Sequence, residues 1–117
     1  MTRPAQTLSY RALNRAMLDR QLLLTRASQP AKDAITHLVG MQAQAPNASY
    51  VGLWSRLAGF DHAELSELTR SRQVVRIPVM RGTIHLVTAE DALTLRPLTQ
   101  VVLTRAFNSQ AFARNLK

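Results

Sequence analysis

Apolar positions recur at helical spacing over the first seventy or so residues. Ser9 is a candidate cap for a helix running to about Leu24. One face of that helix carries Leu13, Ala16, Met17 and Leu24, with Arg20 among them; Arg11 and Arg15 lie one turn apart on another face. A second stripe, Ala31, Ala34, Ile35, Leu38 and Val39, follows Pro30, a favoured first-turn residue. Gln42 extends this stripe from Ile35, so a helix that persisted to it would turn an amide inward, where it must find partners. Asn47 is a plausible cap for a third helix with Tyr50, Leu53, Trp54, Leu57 and Ala58 on one face. Trp54, the single tryptophan, is expected as a core anchor rather than a base-stacking platform. Asp61 and Glu64 form a capping-box variant that opens a short helix containing Leu65 and Leu68. Glu64 and Glu67 read as a solvated face rather than a catalytic carboxylate pair.

The period then changes. Val74–Val79 is β-branched apart from Arg76 and Pro78, and Thr83–Val87 is a second strand candidate. Met80, Arg81 and Gly82 separate them, with Gly82 as the turn residue. Pro78 lacks a donor, so its strand is expected at a sheet edge. Thr88 with Asp91 restarts a helix, and the helical signal continues past Pro97 through Val101, Leu103 and Phe107. Asn108-Ser109 suggests a break, with Ser109 able to cap one more helix. Three helices, a short extra helix and a hairpin are the order of a winged helix-turn-helix domain. The expected fold is mainly α with a small β-hairpin: a winged helix over residues 1–88, its wing at 74–87, then additional helices over 89–117.

At 117 residues the chain is of single-domain size, and no uncharged apolar run of ~18 residues suggests a membrane span. The N-terminus has no apolar segment of the secretory kind, and the chain has no cysteine, which removes disulfides and thiolate metal sites. These features point to a cytoplasmic protein. His37, His62 and His85 are too scattered for a metal motif, and no cofactor is implied. The charge changes the picture more. Fifteen Lys+Arg against seven Asp+Glu give +8, a field that favours polyanions. Arginine, which supplies most of these cations, suits bidentate contact with phosphate. The candidate DNA contacts are Arg56, Arg70, Arg72, Arg76 and Arg81, with Thr83 and His85 on the hairpin. Arg56 is the only cation on the third helix, a poor basis for base readout through it.

The most informative segment is Gly40-Met41-Gln42-Ala43-Gln44-Ala45-Pro46. Proline biases its predecessor away from the helical region, so the triplet Gln42-Ala43-Gln44 belongs at a helix end or in a loop. In extended backbone, residues i and i+2 point the same way, and two amides could converge on one small polar object such as a water. The plain alternative is a polar helix terminus.

That triplet, the helix Tyr50-Val51-Gly52-Leu53-Trp54-Ser55-Arg56-Leu57 and the hairpin Met80-Arg81-Gly82-Thr83-Ile84-His85-Leu86-Val87 occur in one order. Together they resemble the start of the winged-helix DNA glycosylase family typified by AlkZ and YcaQ. Leu13-Asn14-Arg15-Ala16 and the Arg96-Pro97 step are also similar to it. The resemblance implies hydrolysis of the N-glycosidic bond of alkylated purines, typically N7-substituted guanine, in double-stranded DNA. Family members carry glutamine, any residue, then glutamine or aspartate, so Gln42 and Gln44 are the implied catalytic residues. Family chains hold tandem winged-helix domains. This chain thus resembles the first such domain and the entry to a second, and further domains or a second copy would cover its last helices. His85 is the alternative candidate base. The competing readings are a non-enzymatic DNA-binding module, such as a transcription regulator, and an inactive fragment of a longer glycosylase.

Overall fold

A computed structural model describes residues 7–109. Helix α1 (Tyr10–Arg20) starts where expected, its cap Ser9 accepting the Ala12 N–H at 3.2 Å. It ends sooner than Leu24, because the chain reverses through Leu22 at φ 57°. No α1 residue is buried: Leu13 is 46% and Met17 64% exposed, so the predicted apolar face does not join the core.

Helix α2 (Ala31–Leu38) follows Pro30, which offers no side-chain cap. The acceptor comes from a distant helix: Glu64 Oε1 takes the Ala31 N–H at 2.7 Å. Glu64 therefore caps α2 and is not part of a solvated face. The stripe predicted to carry Gln42 inward is cut at Val39 and Gly40, both at positive φ (58° and 125°). That reversal delivers Met41–Gln42 as strand β1 instead, with Gln42 exposed. Glycine is required at 40, since a Cβ there would lie 2.8 Å from Val87 Cγ1 and 3.2 Å from the Leu86 carbonyl.

Helix α3 (Ala48–Arg56) begins after Asn47, whose side chain makes no capping bond. Leu53 and, just past the helix, Leu57 are fully buried, but Trp54 is 57% exposed and is not the expected core anchor. One residue of helical rotation beyond Leu53 carries it off the buried stripe. Asp61 caps helix α4 (His62–Arg70) through the Ala63 N–H at 2.9 Å, and with Glu64 engaged by α2 the capping box is not closed. Glu67 instead takes two bonds from Arg70, at 2.8 and 2.9 Å.

Strands β2 (Val74–Pro78) and β3 (Ile84–Thr88) are joined through a 3-10 turn at Met80–Gly82, where Arg81 and Gly82 both have positive φ. The pair is part of a three-stranded antiparallel sheet in the order β1-β3-β2, which puts Pro78 on an edge strand as expected. The third strand, β1, was not foreseen. Helix α5 (Ala89–Ser109) runs uninterrupted through Pro97, with Thr88 Oγ1 accepting the Asp91 N–H at 3.1 Å. A further helix capped by Ser109 would lie outside the described residues. The architecture is a winged helix, mainly α with a small sheet.

The core joins Ala31, Ala34 and Ile35 of α2 to Leu53 and Leu57, Leu65 of α4, and Met41, Val74 and Leu86 of the sheet. By the pleat, Met41, Leu86 and Val74 share the sheet face turned to these helices, while Gln42, His85 and Val87 lie on the other. Among the described residues no helix is long and apolar enough to cross a membrane.

Candidate active site and nucleic-acid interface

The glutamine segment is built into the sheet. Gln42 is the antiparallel partner of His85, so both side chains belong to one face. Past β1 the ladder is rewired. Ala43 N–H still donates to the Ile84 carbonyl at 2.8 Å, but the Ile84 N–H turns to Gln44 Oε1 at 3.2 Å. The Ala43 carbonyl, which a regular ladder would pair with Ile84, is taken by Arg76 through Nε at 3.2 Å and Nη2 at 2.7 Å. Arg76 thus reaches from β2 past the central strand to close the opposite edge. The glutamines face consecutive residues of β3, Gln42 in register with His85 and Gln44 bonded to Ile84. The side chain of Gln44 is oriented by its bond; the Gln42 amide is exposed and makes no hydrogen bond with a described residue.

Gln42 also lines a cleft of about 350 Å³ with Gln21, Leu38, Gly40, Met41, Ala48, Gly52 and Arg56. Arg56 forms its far wall. Its Nε donates to the Gln21 carbonyl at 2.8 Å and its Nη1 to the Gly52 carbonyl at 2.9 Å. Partial burial lowers the pKa of this guanidinium from its ordinary value. Arg56 ties the end of α1 to α3 and is already engaged within the chain.

His85 is buried, 8% exposed, and its Nδ1 lies 3.0 Å from the Thr83 carbonyl. A carbonyl only accepts, so in the neutral ring that contact places the proton on Nδ1 and leaves the lone pair on Nε2. Thr83 Oγ1 donates to the Met80 carbonyl at 3.1 Å and holds the wing turn. Arg70 is ion-paired with Glu67, while Arg72 and Arg81 are exposed at positive φ and make no bond or ion pair with a described residue. The structure therefore divides the expected DNA contacts. Arg72 and Arg81 are available at the two ends of β2, Arg70 is half-committed, and Arg56, Arg76, Thr83 and His85 are occupied by the fold. Arg11, Arg15 and Arg20 of α1 are exposed and have no acidic partner among the described residues, which the helix-face pattern alone does not reveal.

These features define a winged-helix protein that carries a glutamine pair on the strand beside its wing. The family described as DNA glycosylase AlkZ-like matches residues 35–117. The chain belongs to that family. Among solved structures, Streptomyces sahachiroi DNA glycosylase AlkZ is similar at a TM-score of 0.73 and 23% identity, over 92% of this chain and 31% of the other. The chain thus spans about a third of the length of that protein. No curated protein matches it in sequence.

Proposed function

We propose that this chain acts in DNA repair as a glycosylase module that hydrolyses the N-glycosidic bond of an N7-alkylated purine in double-stranded DNA. The observation that carries the reading is one fixed and one free amide, two residues apart at the end of β1 and facing β3. Gln44 is oriented through Ile84, which leaves its Nε2–H groups to donate to a water; the unengaged Gln42 carbonyl can accept from the same water. An amide is too weak a base to deprotonate water, but it can aim one at the sugar carbon and present a dipole to an oxocarbenium-like transition state. A cationic N7-alkylguanine is already an activated leaving group, so little proton transfer is required. His85, with Nε2 unprotonated, is the reserve base; its burial and bond to Thr83 favour a structural part.

Residues 1–88 form the winged-helix unit in this reading, and 89–117 lead toward a further domain or a second copy. The faces that such a neighbour would cover are exposed: Tyr10 at 88%, Leu93 at 81% and Leu98 at 73%. Arg72 and Arg81, with the α1 arginines, are the phosphate contacts.

Single-turnover excision of N7-methylguanine from a duplex oligonucleotide tests the proposal. Gln44→Asp, whose carboxylate would accept a proton from the water instead of donating to it, should retain or raise the rate, and Gln44→Ala should lose on the order of 10²-fold or more. A Gln44→Ala protein that excises like the parent removes Gln44 from the mechanism. Lesion-independent binding without base release would leave the second reading, a DNA-binding winged-helix module.

A further inference from the structure

Helix α3 separates two concave surfaces. Ala48, Gly52 and Arg56 line the Gln42 cleft, while Tyr50, Val51 and Trp54 point to nearly the opposite side of the helix. There, with Phe60 and His62, they form a separate pocket of about 300 Å³. Tyr50 and Phe60 pack partly against the core, and the Tyr50 hydroxyl meets Ser66 Oγ at 3.2 Å, whereas Trp54 and His62 stand exposed at the rim. Trp54 is 57% and Val51 62% exposed. The guanidinium of Arg26 lies over the Trp54 ring, 4.4 Å from its centroid, and Arg26 has no carboxylate partner among the described residues. The one acid at the rim, Asp61, is engaged by the Ala63 N–H and lies 3.4 Å from His62 Nδ1.

We propose that this pocket binds an unpaired nucleotide of a single DNA strand, the base stacked on the aromatic rings and the adjoining phosphate drawn to Arg26. Stacking on Trp, Tyr and Phe is sequence-tolerant because every base has a π-face, and a cation beside the stack meets the backbone. An apolar protein side chain would suit the rings equally well but would leave Arg26, which stacks on Trp54, without an anion in a chain of net charge +8. The site does not rest on the glutamine chemistry; it is a second nucleic-acid contact on the other side of α3.

Trp54 is the only tryptophan, so its emission reports on this pocket alone. The whole chain is titrated with a single-stranded thymidine oligonucleotide and with a fully paired duplex, following both Trp54 fluorescence and the anisotropy of a labelled strand. The single strand should quench Trp54 and the duplex should not. Trp54→Ala and Val51→Asp should each weaken single-strand binding about tenfold and leave duplex binding unchanged, with Trp54→Phe close to wild type. Val51→Asp touches no buried group, so the test survives if Trp54→Ala folds poorly. Single-strand binding without quenching would overturn the proposal. So would variants that bind it normally, or emission that changes only with protein concentration, the mark of a second copy in the pocket. A chain that excises nothing yet shows the quench would refute the glycosylase reading and leave this one standing.

Discussion

Arg76 offers the sharpest test of structure against sequence. Read along the chain it is a wing arginine poised for phosphate; folded, it puts Nε and Nη2 on the Ala43 carbonyl. Replace it by methionine, which keeps much of the stem. A bond from a charged donor contributes about 1.5–3 kcal/mol when sheltered. Arg76 is exposed, so solvent screening cuts this to about 1 kcal/mol for the pair of contacts. The larger effect is positional. With the Ala43 carbonyl released, the regular ladder bond from Ile84 can form, and Ile84 then lets go of Gln44 Oε1. Urea unfolding should show Arg76→Met destabilised by about 1 kcal/mol at unchanged m. Excision should fall about tenfold, while the slope of log affinity against log salt stays where it was. A phosphate contact predicts the reverse: stability intact and the slope reduced by ~0.9. That pattern would refute the clamp.

Arg81→Ala should give that second pattern, a salt slope smaller by ~0.9 with no change in unfolding, because its guanidinium makes no bond with a described residue. Glu64→Ala should cost about 2 kcal/mol in urea unfolding, since it strands the buried Ala31 N–H at the start of α2, while Glu64→Gln, which keeps an acceptor, should cost under about 1. Gly40→Ala should lose about 3 kcal/mol from its 125° φ and the Val87 and Leu86 contacts. Gly52→Ala should be near neutral, because the only close neighbour is the flexible end of Met41 and alanine favours the helix; thermal unfolding of the two side by side checks both.

The helices and wing were legible because the signals were local. Ser9, Thr88 and Pro78 each act on their own neighbours, and each does what its chemistry dictates. What failed depended on partners far along the chain. Glu64 looked solvated because its target, the Ala31 N–H, lies 33 residues away. Trp54 sits at the margin of an apolar face of which the fold covers Leu53 and Leu57, whereas no residue of the α1 stripe is buried. The departure of Gln42 from the α2 stripe hinges on Val39 and Gly40. The glycine was visible, but its need for positive φ follows from Val87 and Leu86 pressing against it. Motif resemblance located the glutamine pair; it could not reveal that the two amides are held differently.

That difference has a chemical consequence. In the proposed reaction Gln44 would fix the place of the water, and the unengaged Gln42 amide would turn to meet it. Gln44 is fixed through a backbone N–H of the wing strand, whose own position depends on the Val79–Thr83 turn and on Arg76. Gln42 is free, and the cleft beside it is bounded by Arg56, which draws α1 toward α3. The wing that would lie along DNA is therefore the same strand that sets the Gln44 amide. Contact of Arg72 or Arg81 with a phosphate would strain or relax β2 and reach Gln44 along a chain of three hydrogen-bonded contacts, Arg76 to Ala43, Ala43 to Ile84 and Ile84 to Gln44. If the proposed reaction holds, the strand that meets DNA is the one that orients Gln44, so docking and water alignment would be coupled.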